Sequence, residues 1–453
     1  MIPPGESREL PVTINFSREI INSQSADSLG LTLEFSYIRG SRQRRETVTI
    51  PLTRLGNNAL QWDDDRKIAA YIHTSQDPLI METSGSVLAG IPRDISDMFQ
   101  GNIQRAAALF EWMRSREIVY RPDPITPYAG TSVIPEEIDF IQFARETILF
   151  RSGDCDDLSV LYASLLEAAS ISTAFITTPG HIFPALDSGI SAEHESGYFA
   201  DPGMVIRRDG KLWIPVETTI LQEGFFRAWQ KGAQQWRSTS AQGDADFFTT
   251  AESWRMYPPG HPPQTVLSRS IDPEDENGKG ASFQEASFSQ IRSYRDRQIE
   301  RLISLRSLEN PQNDRDYTRR GIIYARFGLN SRAGTDFREA MNRGESVEPL
   351  LHLARLASAS GDSSTALEYL SEAVNLQPDN PRVQLALAAE HLLNGDLESA
   401  RSAYTRLNVL DPRMAERFPL FTDSLQDGSA ALRSAGNAAS PGLRNYLDSY
   451  WSE

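Results

Sequence analysis

The chain holds one cysteine, Cys155, in the stretch GDCDDLSVLYASLL. A lone thiol at a helix start, with a histidine a short way downstream, is an arrangement that thiol nucleophiles use. A thiol attacks poorly until it ionises, and a helix N-terminus and a neighbouring imidazole both favour the thiolate. Gly153 and Asp154 read as turn and N-cap, which puts Cys155 in the first helical turn. Residues 173–178 then read as a strand and Pro179-Gly180 as a turn, and His181 opens the next strand, IFPAL. Helix, return strand, turn and histidine make a path that can carry the imidazole back to the thiol. A third group should orient the ring through its other nitrogen. The strand KLWIPVETT offers Glu217, which alternation places on the face of Trp213 and Pro215. Asp154, Asp156 and Asp157 read as cap and first-turn carboxylates that favour the helix dipole and oppose thiolate formation.

The elements that must position these groups follow from periodicity. Residues 1–76 alternate apolar and polar: Leu10, Val12, Ile14 and Phe16, then Leu29 to Tyr37 at every second position, then Val48, Ile50 and Leu52, then Ile68, Ala70 and Ile72. Period-2 runs separated by turn-rich segments indicate a small antiparallel β-sandwich. The basic tip from Arg39 to Arg45 reads as a solvated hairpin turn. From about residue 77 the period becomes helical. Asn102 is placed to cap a helix carrying Ile103, Ala106, Ala107, Phe110 and Met113. The loop 120–135 is rich in proline and long enough to line a substrate cleft, and a helix over 137–150 leads into the cysteine. The helix that follows carries Leu158, Leu161, Leu165, Leu166 and Ala169 on one stripe. Residues 187–202 read as a polar, exposed loop and 224–236 as an aromatic helix. Residues 238–289 shift to Gly, Pro, Ser, Asp and Glu and read as a linker, with Trp254 and Tyr257 available to pack back on the preceding domain.

Bulk composition bounds the remainder. At 453 residues the chain has room for about two to four domains. A hydrophobic content of 40% supports real cores. A net charge of −16 argues against nucleic acid as a partner, because no basic field exists to release counterions. A single cysteine forms no intrachain disulfide and leaves the redox compartment open. No apolar run is long enough to span a membrane. MIPPGESREL lacks the basic start and apolar stretch of a signal peptide. The histidines show no metal-ligand spacing, so neither a metal nor a cofactor is expected.

From about residue 288 the chain is helical and repeats itself. Gly328, Gly361 and Gly395 recur at spacings of 33 and 34, each followed five residues on by Ala333, Ala366 and Ala400. Ala340, Ala373 and Leu407 keep the same phase, as do Gly321, Ala354 and Ala388, and Pro378 and Pro412 stand at equivalent ends. This pattern resembles the tetratricopeptide repeat over roughly residues 313–412. The resemblance implies an α-helical solenoid with a concave face that binds a protein or peptide.

The central motifs carry a second resemblance. GDCDDLSVLYASLL, then a short strand and PGHIFPAL, then WIPVETT, is similar to the transglutaminase-like superfamily of cysteine-dependent enzymes, over roughly residues 85–260. Position by position, the resemblance makes Cys155 the nucleophile and His181 the base. Glu217 stands where the family usually has Asp, with Asp187 and Asp201 as alternatives closer to His181. The segment FIQFARETI implies that Gln142 helps to bind an oxyanion, with Asp154 and Asp156 supporting the site. The implied reaction is acyl transfer through a thioester, with hydrolysis of an amide or peptide favoured over crosslinking.

The expected layout is therefore multidomain: an antiparallel, Ig-like β-sandwich over 1–76, an α+β transglutaminase- or papain-like domain over 77–262, a linker and connecting helix over 263–300, helical repeats over 301–420, and capping helices over 421–453. The resemblance leans towards the periplasm or cell envelope of a bacterium, with a cytoplasmic protein as the alternative. The competing expectation is an inactive scaffold whose sandwich and repeats do the work of binding.

Overall fold

A computed structural model gives the fold and describes residues 27–39, 42–74, 76–96, 102–122, 138–259, 262 and 280–420. The N-terminal region is β-rich. Strands β1 (Asp27–Arg39) and β2 (Arg42–Arg54) form a long antiparallel hairpin. Its register sets Leu29 against Leu52, Leu31 against Ile50 and Leu33 against Val48, so the alternating apolar residues of both strands share one face. Among the described residues of 1–76, β1 and β2 pair only with each other, and the third strand, Ala59–Gln61, pairs with Ile138–Phe140 outside this region. Leu10, Val12, Ile14 and Phe16 lie outside the described residues, as do the whole of the expected helices over 421–453.

The last run expected in the sandwich takes another form. Ile68 and Ala70 lie in a 3-10 helix, Asp65–Tyr71, with Ile72 at its C-cap. The Asp64 side chain accepts the N–H of Arg66 and starts this helix. Ile68 and Ile72 are fully buried in one core with Trp62, Phe143, Cys155, Val160, Phe175 and Ile182. The residues just before 77 therefore pack into the central fold: Ile68 and Tyr71, three apart, share one face of the 3-10 helix, and both belong to that core.

The remaining strands are β3 (Ala59–Gln61), β4 (Val119–Tyr120), β5 (Ile138–Phe140), β6 (Ser152–Gly153), β7 (Thr173–Thr178), β8 (His181–Ser191), β9 (Ile206–Arg208), β10 (Lys211–Pro215) and β11 (Asp246–Thr249). Five of them make an antiparallel sheet in the order β11-β7-β8-β10-β9. The helix Cys155–Ala168 packs against this sheet. Every residue over 155–166 is buried, so this helix is not a one-stripe surface helix but the centre of the fold. Leu158, Leu161 and Leu165 face the main core, while Val160 and Ala163 face the core that contains Ile68 and Phe175.

Several expected boundaries move for tertiary reasons. Residues 138–140 are strand β5, paired with β3, and the helix begins only at Ala144 (Ala144–Phe150). The buried Asp139 carboxylate accepts the indole N–H of Trp62 at 2.7 Å, which ties that strand to the segment beside it. Asn102 precedes the helix Ile103–Ser115 but does not cap it with its side chain. Its amide instead donates to the Asp187 carbonyl at 3.0 Å. The expected polar loop over 187–202 continues β8 to Ser191 and then turns through short helices in which Glu195, Gly197 and Tyr198 are buried. The linker-like composition after 238 conceals β11, an edge strand of the main sheet. Trp254 and Tyr257 do pack back, donating to the Ala69 carbonyl and to Asp64, each at 2.8 Å.

The C-terminal region is helical. Three helical hairpins follow one another: Asp314–Arg326 with Asn330–Arg343, Val347–Ala359 with Ser363–Leu376, and Pro381–Leu393 with Leu397–Leu410. Gly328, Gly361 and Gly395 sit in the three turns with φ of 71°, 81° and 79°, the left-handed region that glycine enters without strain. At Gly321 a Cβ would fall 2.5 Å from the Phe337 ring, which explains the small residue seven positions before the turn. The helix Gly280–Leu305 leads into this array, and its Phe288, Ile291, Tyr294, Ile299 and Leu302 share a core with the central fold. From Phe288 onward, therefore, this part of the chain is packed helix.

Candidate functional site

The cysteine helix is started by its own sequence. Asp154 and Asp157 form a reciprocal capping box, each carboxylate accepting the other's main-chain N–H. Gly153 is required just before it, because a Cβ there would lie 2.5 Å from the Asp157 Cβ. Asp157 also accepts the Gln142 main-chain N–H at 2.7 Å. Strand β6, immediately before the helix, pairs in parallel with β4 and sets Tyr120 opposite Gly153.

The histidine and the acid arrive from the sheet. Gly180, with φ of 69°, turns β7 back into β8, and His181 pairs with Thr178 at the turn end of that hairpin. The next strand over, β10, sets Pro215 opposite Ala185, and the Val216 N–H bonds the Pro184 carbonyl at 2.9 Å. Glu217 lies two residues beyond the strand, as the N-cap of the 3-10 turn Thr218–Glu223. There Oε1 accepts the Thr219 N–H at 3.0 Å and its hydroxyl at 2.6 Å, while Oε2 lies 2.6 Å from His181 Nε2. Since an ionised carboxylate only accepts, Nε2 carries a proton, and in the neutral ring Nδ1 is then the acceptor nitrogen. The longer glutamate reaches the ring because it stands in a cap rather than in the strand.

Burial divides the site. Cys155 is 5% exposed and Glu217 1%, whereas the His181 side chain is 21% exposed and Tyr120 42%. Burial alone would push the Glu217 carboxyl up, but the His181 hydrogen bond, its charge and Thr219 together hold it below the usual range. Burial, and next the Asp154 charge, push the Cys155 thiol well up; the Ile182 main-chain N–H pulls the other way. Glu217 adds a further negative charge against the thiolate. No hydrogen bond joins the Cys155 sulfur to the His181 ring among the described residues. Burial also raises the Tyr120 phenol, with Cys155, Asp154, Glu217 and Asp156 contributing, which places Tyr120 within electrostatic reach of the whole group.

The three aspartates sit at the helix start, as their order in the sequence implies. Asp154 is the cap. Asp156 is 1% exposed; its Oδ1 accepts the Asp157 N–H at 2.6 Å, and its Oδ2 is buried without a partner. Burial and then the Asp154 charge push the Asp156 and Asp157 carboxyls well up. These three acids bring oxygens within 4.8 Å of one another, the one group of metal-ligating side chains found among the described residues. Two of the three cap the helix. Gln142 touches the site through its main-chain N–H, and its side-chain Oε1 is buried without a donor. The alternatives to Glu217 are engaged elsewhere: Asp187 pairs with Lys211 at 2.7 Å and Asp201 caps the turn Pro202–Met204. Sequence reasoning missed Tyr120 as an individual residue and the Ile182 N–H. Tyr120 opens the loop that it assigned to the cleft, but residues 123–135 lie outside the described residues.

The arrangement can polarise an imidazole against a buried carboxylate beside a thiol at a helix start. The chain matches no protein-family model and no curated protein.

Proposed function

We propose that this chain is a thiol-dependent acyl-transfer enzyme of transglutaminase-like type, cleaving an amide or peptide bond rather than crosslinking. The observation that carries this reading is the His181–Glu217 pair at 2.6 Å, set beside the helix that begins at Cys155. In the reaction, His181 Nδ1 takes the thiol proton and the Cys155 sulfur attacks the substrate carbonyl. The thioester forms as His181 returns the proton to the leaving amine, and water then resolves the thioester with His181 again as base. Main-chain N–H groups at the helix start are the candidate oxyanion donors. The protein or peptide substrate is recruited by the helical array, which we read as tetratricopeptide repeats, and the setting is the periplasm or cell envelope. The test is cleavage of peptide amides by the full chain beside its Cys155→Ala variant. Loss of cleavage in the variant supports the reading, and full activity in it overturns the reading.

A second reading is a catalytically silent scaffold in a bacterial envelope or motor-associated assembly. One observation favours it: the thiol is buried, raised by its surroundings and not bonded to His181. The rate of alkylation of Cys155 against pH separates the two. A rate that has levelled off well below about 8.5, the ordinary thiol value, supports the enzyme; a rate that rises only above it supports the scaffold.

A further inference from the structure

Between the helix Phe225–Gln242 of the central fold and the helix Gly280–Leu305 runs an open groove of about 460 Å³. Its wall is aromatic. The Phe226 and Tyr294 rings stack with centroids 4.4 Å apart and planes at 17°. Arg297 and Arg301 line it, one helical turn apart on the second helix. Other arginines of that helix are neutralised: Arg292 pairs with Asp94 and Arg295 with Asp296, each at 2.9 Å. Arg297 bonds only the Ser293 hydroxyl, at 3.0 Å, and Arg301 meets no carboxylate among the described residues. The two acids that face the groove are already engaged. Glu223 pairs with Arg227 at 3.6 Å, and the Asp201 carboxylate accepts the Gly203 N–H at 2.8 Å. Two guanidinium groups without carboxylate partners, in a chain of net charge −16, are left to face the solvent side of a preformed groove.

We infer that this groove binds an extended acidic segment of another protein, with carboxylates at alternate residues. The spacing sets the pattern. Positions four apart on a helix are separated by about 6 Å along its axis. Alternate side chains of an extended peptide point the same way and lie about 6.6 Å apart. A Glu-x-Glu or Asp-x-Asp strand laid along the helix thus offers one carboxylate to each arginine, in charge-assisted hydrogen bonds. The residue between them points away, and the Phe226–Tyr294 wall takes the apolar parts of the segment. The site lies on the seam where the helical array meets the central fold, and it does not depend on the thiol chemistry.

The probe is a fluorescein-labelled hexapeptide, Gly-Glu-Ser-Glu-Gly-Ser, titrated with the full chain at low salt and followed by anisotropy. Saturable binding is expected, together with a loss of about tenfold or more in Arg297→Gln and in Arg301→Gln, the scale of one charge-assisted contact. Both positions are exposed, so the melting temperature should stay put. The double variant Arg297→Glu/Arg301→Glu should instead gain affinity for the lysine counterpart, Gly-Lys-Ser-Lys-Gly-Ser. Cys155→Ala should bind the acidic probe as the unmodified chain does, which separates failure here from failure of the proposed reaction. Three results would each overturn the inference: glutamine variants that bind normally, a Gly-Gln-Ser-Gln-Gly-Ser peptide that binds equally well, or inorganic phosphate displacing the probe as effectively as unlabelled peptide, which would mark a simple anion site.

Discussion

The ring of His181 and the carboxylate of Glu217 meet at 2.6 Å although 36 residues separate them in the chain. Glu217 is almost wholly buried, and both of its oxygens are engaged, one by the ring and one by Thr219. Glu217→Gln removes the charge that steadies an imidazolium. Under the proposed reaction, amide cleavage should fall by about a hundredfold or more, in kcat rather than in KM. Steady-state kinetics of the variant check this; an unchanged kcat removes the acid from the mechanism.

The same pair makes stability depend on acid. The Glu217 carboxyl is held below its usual value of 4.5 in the folded chain. Its contribution is therefore fully present above about that pH and is lost as pH falls through the lower, folded value. The melting temperature of the unmodified chain should exceed that of Glu217→Gln at pH 6 to 7. The gap should close as pH drops below about 4.5.

Asp156 works with the opposite sign. Its carboxyl is raised well above the usual 3.8, by burial and then by Asp154. The folded chain then holds a proton that the unfolded chain has released, so stability falls as pH rises from about 3.8 towards the folded value. Asp156→Asn keeps an oxygen for the Asp157 N–H and removes the charge. It should raise the melting temperature at pH 7.5, and by less at pH 5. Melts at the two pH values decide it, and a lower melting temperature at pH 7.5 counts against the proton-holding account.

Gly321 and Phe337 set the spacing of the first helical hairpin. A methyl group at 321 would fall 2.5 Å from the ring. Gly321→Ala should cost about 1–3 kcal/mol of stability, the scale of an overpacked core. Adding Phe337→Leu should recover part of that loss in a denaturant titration. A fully additive double variant would contradict the contact.

What the residues alone made legible was local. Asp154 and Asp157 start a helix at Cys155, Gly180 turns a strand back at His181, and the glycines of the helical array keep a phase of 33 and 34 residues. Each of these signals lies within a few residues of the structure it dictates, in a cap, a turn or an apolar period. Misread segments were those whose partners lie far off in the chain. Residues 138–140 form a strand only because Ala59–Gln61 lies beside them, and Asp246–Thr249 is a strand only as the edge of the sheet beside β7. Ile68, Ala70 and Ile72 suit a strand by alternation, while Ile68 and Tyr71 suit a 3-10 turn by their spacing of three; the core around Cys155 goes with the turn. The order Cys155, His181, Glu217 was readable, but the meeting of His181 with Glu217 was not. It depends on β10 lying beside β8 and on a glutamate standing just past the strand end. The core that encloses the thiol likewise draws on Leu60, Trp62, Ile68 and Ile72 far upstream and on Phe248 far downstream, distances that no cap, turn or apolar period spans.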